Sequence, residues 1–136
     1  MTSAGLYIAV VDDEAPVRTA LGRLLRLADY EVAAFASGEE FLASLGARIP
    51  VCVILDVHMP GLSGFAVQAQ LQAESYEIPV VFITASDDPG LDATVAAARG
   101  VALLRKPFTS ERLSKAVSAA VETRAGNYIV TRRPLS

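Results

Sequence analysis

The fold is decided by the apolar stretch Val51-Cys52-Val53-Ile54-Leu55, which Asp56 follows at once. Five apolar residues in a row, bounded by a polar residue, are typical of a strand that is buried on both faces of a sheet. Working outward from this stretch, three more apolar runs and one weaker, more polar run occur at residues 7–11, 79–83, 101–104 and 31–35. The sequence therefore predicts five strands.

Helical patterns separate these strands. Apolar side chains recur at one-face helical spacing in residues 15–28, 38–45, 65–73, 91–99 and 110–123. Gly100 is expected to end the fourth helix as its C-cap. Five successive β–α units predict an α/β fold whose parallel sheet is covered by helices on both faces, and right-handed crossovers favour a doubly wound open sheet. We expect one domain over residues 1–123, with residues 124–136 a C-terminal tail or the start of a linker.

Composition excludes several classes of function. The net charge of −3 gives no basic field for holding nucleic acid, so direct nucleic-acid binding by this domain is not expected. One cysteine and one histidine provide neither an internal disulfide nor a zinc site, and Cys52 is expected to be a small core residue. No signal peptide and no bilayer-spanning apolar run are visible, so a cytoplasmic protein without membrane contact is expected.

Polar side chains stand where the predicted strands end. Asp12 and Asp13 follow the first strand, Asp56 the third, Thr84 the fourth and Lys106 the fifth. The carboxyl ends of parallel strands lie at one edge of the sheet, which is where open α/β folds bind ligands. We therefore expect three carboxylates, one hydroxyl and one ammonium group to converge. Capping of the first helix is the alternative role for Asp12 or Asp13.

These groups suit phosphoryl transfer. Three carboxylates in one pocket repel one another unless a cation lies among them, and Mg²⁺ prefers oxygen ligands. A carboxylate can attack phosphorus to give an acyl phosphate. A cation and Lys106 would neutralise charge on the transferring group, and the Thr84 hydroxyl could donate to a phosphoryl oxygen.

At these residues the chain resembles the receiver family of two-component response regulators, over about residues 6–122. The resemblance rests on four motifs in order: Val11-Asp12-Asp13-Glu14, then Ile54 through Gly64 around Asp56, then Ile83-Thr84-Ala85, then Arg105-Lys106-Pro107-Phe108. It implies the flavodoxin-like fold with strand order 2-1-3-4-5. Within the family the wording is nearest to receivers of the nitrogen-fixation regulator type, which precede helix-turn-helix output domains.

The resemblance also implies a role for each site residue. Asp56 would accept a phosphoryl group from a sensor histidine kinase or a phosphotransfer protein. Asp13 and Asp56 would hold Mg²⁺ together with the backbone carbonyl of His58, and Asp12 would do so directly or through water. Lys106, whose bond to Pro107 would be cis, would pair with the phosphoryl oxygens. Thr84 would move toward them as the activation switch.

The implied protein is a signalling switch and not an enzyme acting on other substrates. It would catalyse only its own phosphorylation and dephosphorylation, as part of transcriptional control. The face formed by residues 85–121 would engage an output or a second copy of the chain as a homodimer.

Two positions leave alternatives open. The side chain of His58 is either an exposed loop residue without an essential role or a group that overhangs the phosphorylation site and tunes phosphoryl lifetime. Leu103 stands three residues before Lys106, where the family usually has Tyr or Phe. The usual coupling between the threonine and an aromatic ring is therefore in doubt, and the signal would leave by movements after the fourth strand, or the switch would be weak.

Two other functions compete with this one. A phosphohydrolase of the haloacid dehalogenase type also uses a strand-end Asp, a Thr or Ser, a Lys and Mg²⁺. Such enzymes have a D-x-D motif, in which a second acid lies two residues after the nucleophile, and in this chain His58 stands at that position. A degenerate receiver that serves only as an interaction module would lack acidic positions, which are all present. Only Leu103 favours that alternative.

Overall fold

The computed structural model describes residues 5–135, and it describes side chains for residues 5–123. The strands are β1 Tyr7–Val11, β2 Glu31–Phe35, β3 Cys52–Asp56, β4 Val80–Thr84 and β5 Ala102–Arg105. The helices are α1 Ala15–Leu27, α2 Gly38–Ser44, α3 Gly64–Ala73, α4 Gly90–Ala97 and α5 Ser110–Leu135. Strands and helices alternate as the apolar runs predicted, and their bounds differ from the predicted ones by no more than two residues except at the end of α5.

All neighbouring strands are parallel, in the order β2-β1-β3-β4-β5. This confirms the doubly wound sheet and the strand order. The central pair is held in register with Val10 opposite Ile54. At the other side of β3, Asp56 lies opposite Ile83, the residue before Thr84. The ends of β1, β3, β4 and β5 therefore share one edge of the sheet.

Two apolar clusters sandwich the sheet. On one face, α2, α3 and α4 contribute to a first cluster that includes Phe41, Val67 and Phe82. On the other face, α1 and α5 contribute to a second cluster around Ile54. Burying each large apolar side chain of this kind stabilises the fold by about 1.5–3 kcal/mol. Cys52 is buried in the second cluster as expected.

The prediction that Gly100 is the C-cap of α4 is wrong. The cap is Ala98, and Arg99 adopts the left-handed conformation with φ of 61°. The Gly100 N–H then donates to the Val95 carbonyl at 2.9 Å. A Cβ at position 100 would lie 2.7 Å from the Phe82 ring and from Val95. Glycine is needed here for close packing and not for a positive φ.

Helix α5 continues to Leu135, beyond the end predicted near Thr123. The prediction of a tail or linker over residues 124–136 lies outside the residues whose side chains are described. Among the described residues, no helix has the length and apolar character needed to cross a membrane.

Candidate functional site

The sheet brings the predicted site residues to one edge. Asp56 and Thr84 are the last residues of β3 and β4, while Asp12 and Lys106 directly follow β1 and β5. Three of these side chains are buried, with exposed fractions of 0% for Asp12, 4% for Asp56 and 0% for Thr84. Asp13 lies at the same edge but is exposed. Buried polar groups must find partners, and their partners define the site.

Lys106 is the centre of the site. Its Nζ lies 2.9 Å from Asp12 Oδ2, 3.6 Å from Asp56 Oδ2 and 3.2 Å from Glu14 Oε1. Burial alone would lower the pKa of Lys106, but its bonds to these carboxylates raise that pKa above its ordinary value. The ammonium group therefore stays charged and joins the ends of β1 and β3. Sequence reasoning missed Glu14, although it directly follows the acidic pair.

The acidic side chains form a cluster that can hold a metal ion. One carboxylate oxygen from each of Asp12, Asp13 and Asp56 lies within 4.8 Å of the other two. Burial raises the pKa of Asp56 to about 6, and the Asp12 carboxylate adds to this rise, while Lys106 opposes it. The single ammonium group of Lys106 does not balance the three carboxylates, so the net charge of the cluster is negative. An all-oxygen donor set with excess negative charge fits a hard divalent cation such as Mg²⁺.

The loop after β1 is held by bonds to Asp12. Its Oδ1 accepts the Glu14 N–H at 2.8 Å, just before α1 begins. Its carbonyl accepts a hydrogen bond from Arg18 Nη1 at 2.8 Å, a contact that the sequence pattern did not indicate. The N-cap of α1 is Glu14, and no side chain caps this helix. The capping alternative for Asp12 or Asp13 is therefore wrong: one oxygen of Asp12 holds the loop before α1, and the other lies on Lys106.

Thr84 and His58 are brought together. Thr84 Oγ1 accepts the Ser86 N–H at 3.0 Å and lies 3.4 Å from His58 Nδ1. The His58 side chain is exposed, and its backbone N–H donates to Asp56 Oδ1 at 3.3 Å. The imidazole thus lies beside the threonine hydroxyl, a contact that neither sequence alternative for His58 had predicted.

The turn after Asp56 folds tightly beneath it. The Gly64 N–H donates to the Val57 carbonyl at 3.0 Å. A Cβ at position 64 would lie 2.3 Å from the backbone oxygen of Asp56. No side chain fits there without moving backbone, so Gly64 sets the path of the chain that carries Asp56.

The end of β5 matches the resemblance at one position and departs from it at another. The Lys106–Pro107 bond is cis, as the resemblance implied. Leu103 packs against the first cluster, where a family member would usually carry an aromatic ring. Among the residues whose side chains are described, no tyrosine takes its place: Tyr7 begins β1, and Tyr30 and Tyr76 precede β2 and β4, so all three lie at or beyond the opposite ends of the strands.

Comparison with known proteins decides the family. The sequence model of the response regulator receiver domain matches residues 8–118. The chain belongs to the response regulator receiver family. This receiver is 40% identical to nodulation protein W of Bradyrhizobium diazoefficiens over 122 residues, which cover 88% of the chain and 53% of that protein. It is 33% identical to the transcriptional regulatory protein FixJ of the same organism, covering 89% of the chain and 58% of FixJ.

Solved structures agree with this assignment. A response regulator receiver protein from Burkholderia phymatum is 43% identical, with a TM-score of 0.78, covering 86% of the receiver and 95% of that chain. FixJ-N is 29% identical with a TM-score of 0.80, covering 86% and 94%. The resemblance seen in the sequence is confirmed, and it favours signalling over the phosphohydrolase alternative. The chain spans about half the length of the curated relatives that it matches.

Proposed function

We propose that this receiver accepts a phosphoryl group on Asp56 from a phosphohistidine of a sensor histidine kinase or phosphotransfer protein. The observation that carries the proposal is the position of Asp56. Its carboxylate is buried at the ligand-binding edge of the sheet, 3.6 Å from Lys106 Nζ and within the acidic cluster. The edge of the sheet is where a phosphoryl donor could approach this carboxylate, and the Lys106 ammonium group could neutralise the negative charge of the phosphoryl group.

The transfer itself is a displacement at phosphorus. An Asp56 carboxylate oxygen forms the new P–O bond as the P–N bond of the donor breaks, and the donor imidazole keeps the electron pair and takes up a proton. Lys106 turns from Asp12 toward the phosphoryl oxygens and neutralises part of their charge. The buried setting strengthens that interaction, because fewer water molecules screen it.

Asp13 and Asp56 would hold Mg²⁺ with the backbone carbonyl of His58, and Asp12 would do so directly or through water. When bound, the ion supplies positive charge that offsets both the carboxylates and the incoming phosphoryl group. Lys106 pairs with three carboxylates, those of Asp12, Glu14 and Asp56, and the Asp13 carboxylate adds a fourth negative charge to the cluster. That imbalance supports a requirement for a divalent ion.

Thr84 would report the phosphorylated state. Its hydroxyl would turn from the Ser86 N–H toward a phosphoryl oxygen, which changes the surface formed by residues 85–121. That surface would engage an output domain or a second receiver in the cytoplasm. The complex would act in transcriptional control, and this domain would not contact DNA directly. The transcriptional role rests on relatives such as FixJ.

The experiment is phosphorylation of the purified chain by acetyl phosphate, followed by intact mass spectrometry. We expect one phosphoryl group per chain with Mg²⁺ and none with EDTA. Asp56→Asn should remain unlabelled, while Asp87→Asn, an exposed aspartate on the loop after Thr84, should label as the wild type does. Labelling that persists in Asp56→Asn would exclude Asp56 as the acceptor.

A further inference from the structure

Arg105 connects the end of β5 to the start of α4. Its Nη2 lies 3.0 Å from Asp92 Oδ2 and donates to the Asp88 carbonyl at 2.8 Å, and its Nη1 lies 3.5 Å from Asp92 Oδ1. Side chains alternate along a strand, so Arg105 points to the same side of β5 as Leu103. We call Arg105, Asp88 and Asp92 the arginine clamp.

The clamp holds the far end of the loop that begins at Thr84. Three side chains in this loop each accept the backbone N–H two residues further on. Thr84 Oγ1 accepts from Ser86 at 3.0 Å, Ser86 Oγ from Asp88 at 3.1 Å, and Asp88 Oδ1 from Gly90 at 2.9 Å. A continuous series of bonds therefore runs from the threonine hydroxyl to the first residue of α4.

The series closes back on the site through β5. Arg105 lies opposite Thr84 in the sheet register, and the Lys106 N–H donates to the Thr84 carbonyl at 2.7 Å. The clamp residue is thus next to the site lysine in sequence and beside the site threonine in the sheet. Thr84, its loop, Arg105 and Lys106 form one closed ring of bonds.

The structure assigns to Arg105 the part of a positioning residue that keeps the loop after β4, and with it the Thr84 hydroxyl, in the resting arrangement. If Thr84 turns toward a phosphoryl group, the Ser86 N–H loses its acceptor unless the loop moves. The clamp opposes that movement at the α4 end. An interaction that is made only in the resting state raises the free energy of switching by the amount that the interaction contributes to the resting state. This inference rests on the proposed phosphorylation of Asp56.

The size of the effect follows from exposure. The side chains of Arg105 and Asp92 are 34% and 64% exposed, and exposed ion pairs contribute little. We expect removal of the clamp to tighten binding of a phosphoryl mimic roughly two- to fivefold, the range that a weak but geometrically specific pair supports.

The test measures beryllofluoride binding in the presence of Mg²⁺ by ¹⁹F NMR titration, because the chain has no tryptophan to report by fluorescence. The proteins are the wild type, Arg105→Gln, Asp92→Asn and the double variant. Arg48→Gln is the matched control, since it removes an exposed ion pair of similar length, 3.1 Å to Glu31, at the other edge of the sheet.

Both single variants should bind beryllofluoride more tightly, and the double variant should gain no more than the stronger single one, because both remove the same pair. Arg48→Gln should leave the affinity unchanged. Arg105→Lys, which keeps a charge that can reach Asp92, should recover part of the wild-type affinity. Amide exchange at Ser86, Asp88 and Gly90 should speed up in Arg105→Gln and in the double variant, and it should not change in Arg48→Gln.

Unchanged or weaker binding in Arg105→Gln, with normal binding by the wild type, would overturn the assignment while leaving Asp56 as the acceptor. An equal gain in Arg48→Gln would also overturn it, because the effect would then come from general loosening. If the wild type itself bound no beryllofluoride, the proposed function would fail and this inference with it.

Discussion

The carboxyl edge of the sheet has two halves that are built in different ways. The acidic half, Asp12, Asp13, Asp56 and Lys106, is joined by contacts across the sequence, such as the bond between Lys106 and Asp12, which lie 94 positions apart. The loop half, which consists of Thr84 to Gly90 and the clamp residue Arg105, is held by bonds that span two residues each within the loop and by the contact of Arg105 with Asp88. Segments held by local, exposed bonds open at lower cost than a buried core. The acidic half is therefore suited to chemistry and the loop half to movement.

The largest expected effect tests how tightly the acidic half is built. Gly64→Ala places a Cβ 2.3 Å from the Asp56 backbone oxygen, so backbone must shift. We expect the free energy of unfolding to fall by about 3 kcal/mol, the upper range for overpacking, and labelling of Asp56 to fall with it. Urea unfolding measures the first effect and mass spectrometry the second.

Gly46→Ala is the control for this change, because nothing lies within 4 Å of a Cβ at that position. It should alter stability by less than about 0.5 kcal/mol. If the two alanine variants were equally stable, the tight turn beneath Asp56 would not be a requirement of the acidic half.

A second prediction compares a cation of each half. Lys106→Met leaves the fully buried Asp12 without its 2.9 Å partner. Without divalent ions, we expect a loss of about 2 kcal/mol in the free energy of unfolding, because a buried charge is then uncompensated. Arg105→Met, in the exposed loop half, should cost under about 1 kcal/mol. Equal losses in urea unfolding would contradict the distinction between the halves.

The acidic half has a stability cost that depends on pH. The pKa of Asp56 is raised from 3.8 to about 6 in the folded chain, mainly by burial. The folded state therefore binds this proton more tightly than the unfolded state, and stability falls as pH rises from about 4 to 6. In EDTA at pH 7, Asp56→Asn should be more stable by on the order of 1–2 kcal/mol.

This gain should disappear below pH 4, where Asp56 is protonated in both states, and it should shrink when Mg²⁺ is added. Urea unfolding of both proteins at pH 3.5, 5 and 7 measures it. A gain that is constant across this range would show that the carboxylate charge is not its cause.

The smallest expected effect lies at Leu103, on the strand that borders the loop half. Leu103 packs against the first cluster and makes no polar contact with the acidic side chains. Leu103→Tyr should change the rate of Asp56 labelling by less than about twofold, because the groups that perform the chemistry are untouched. Time courses with acetyl phosphate measure this rate. A large change would mean that residue 103 reaches the acidic half, and the two halves would not be independent.

The acidic half could be predicted from the sequence because strand ends in a parallel sheet share an edge. Asp12, Asp56, Thr84 and Lys106 needed only the order of strands and helices to be placed together. The partners Glu14 and Arg18 were missed, since their contacts depend on how the first loop turns. The arginine clamp was missed for the same reason: Arg105 precedes the site lysine, but nothing in the spacing indicates that it reaches Asp88 and Asp92.

The end of α4 gives a similar lesson. Gly100 was assigned to the usual role of glycine at a helix end, yet Arg99 carries the positive φ and Gly100 leaves room for Phe82. Sequence spacing reports the end of a helix but not which residue meets the neighbouring strand.

Lys106 is paired with three carboxylates, so this cation is already engaged before any phosphoryl group arrives. A phosphoryl group on Asp56 would not recruit a free cation but would take over one that Asp12 and Glu14 already hold. If Asp56 is phosphorylated as proposed, hydrolysis of the acyl phosphate would free the ammonium group to pair with Asp12 and Glu14 again. The ion pairs at this edge of the sheet would then be the same before and after each cycle of phosphorylation.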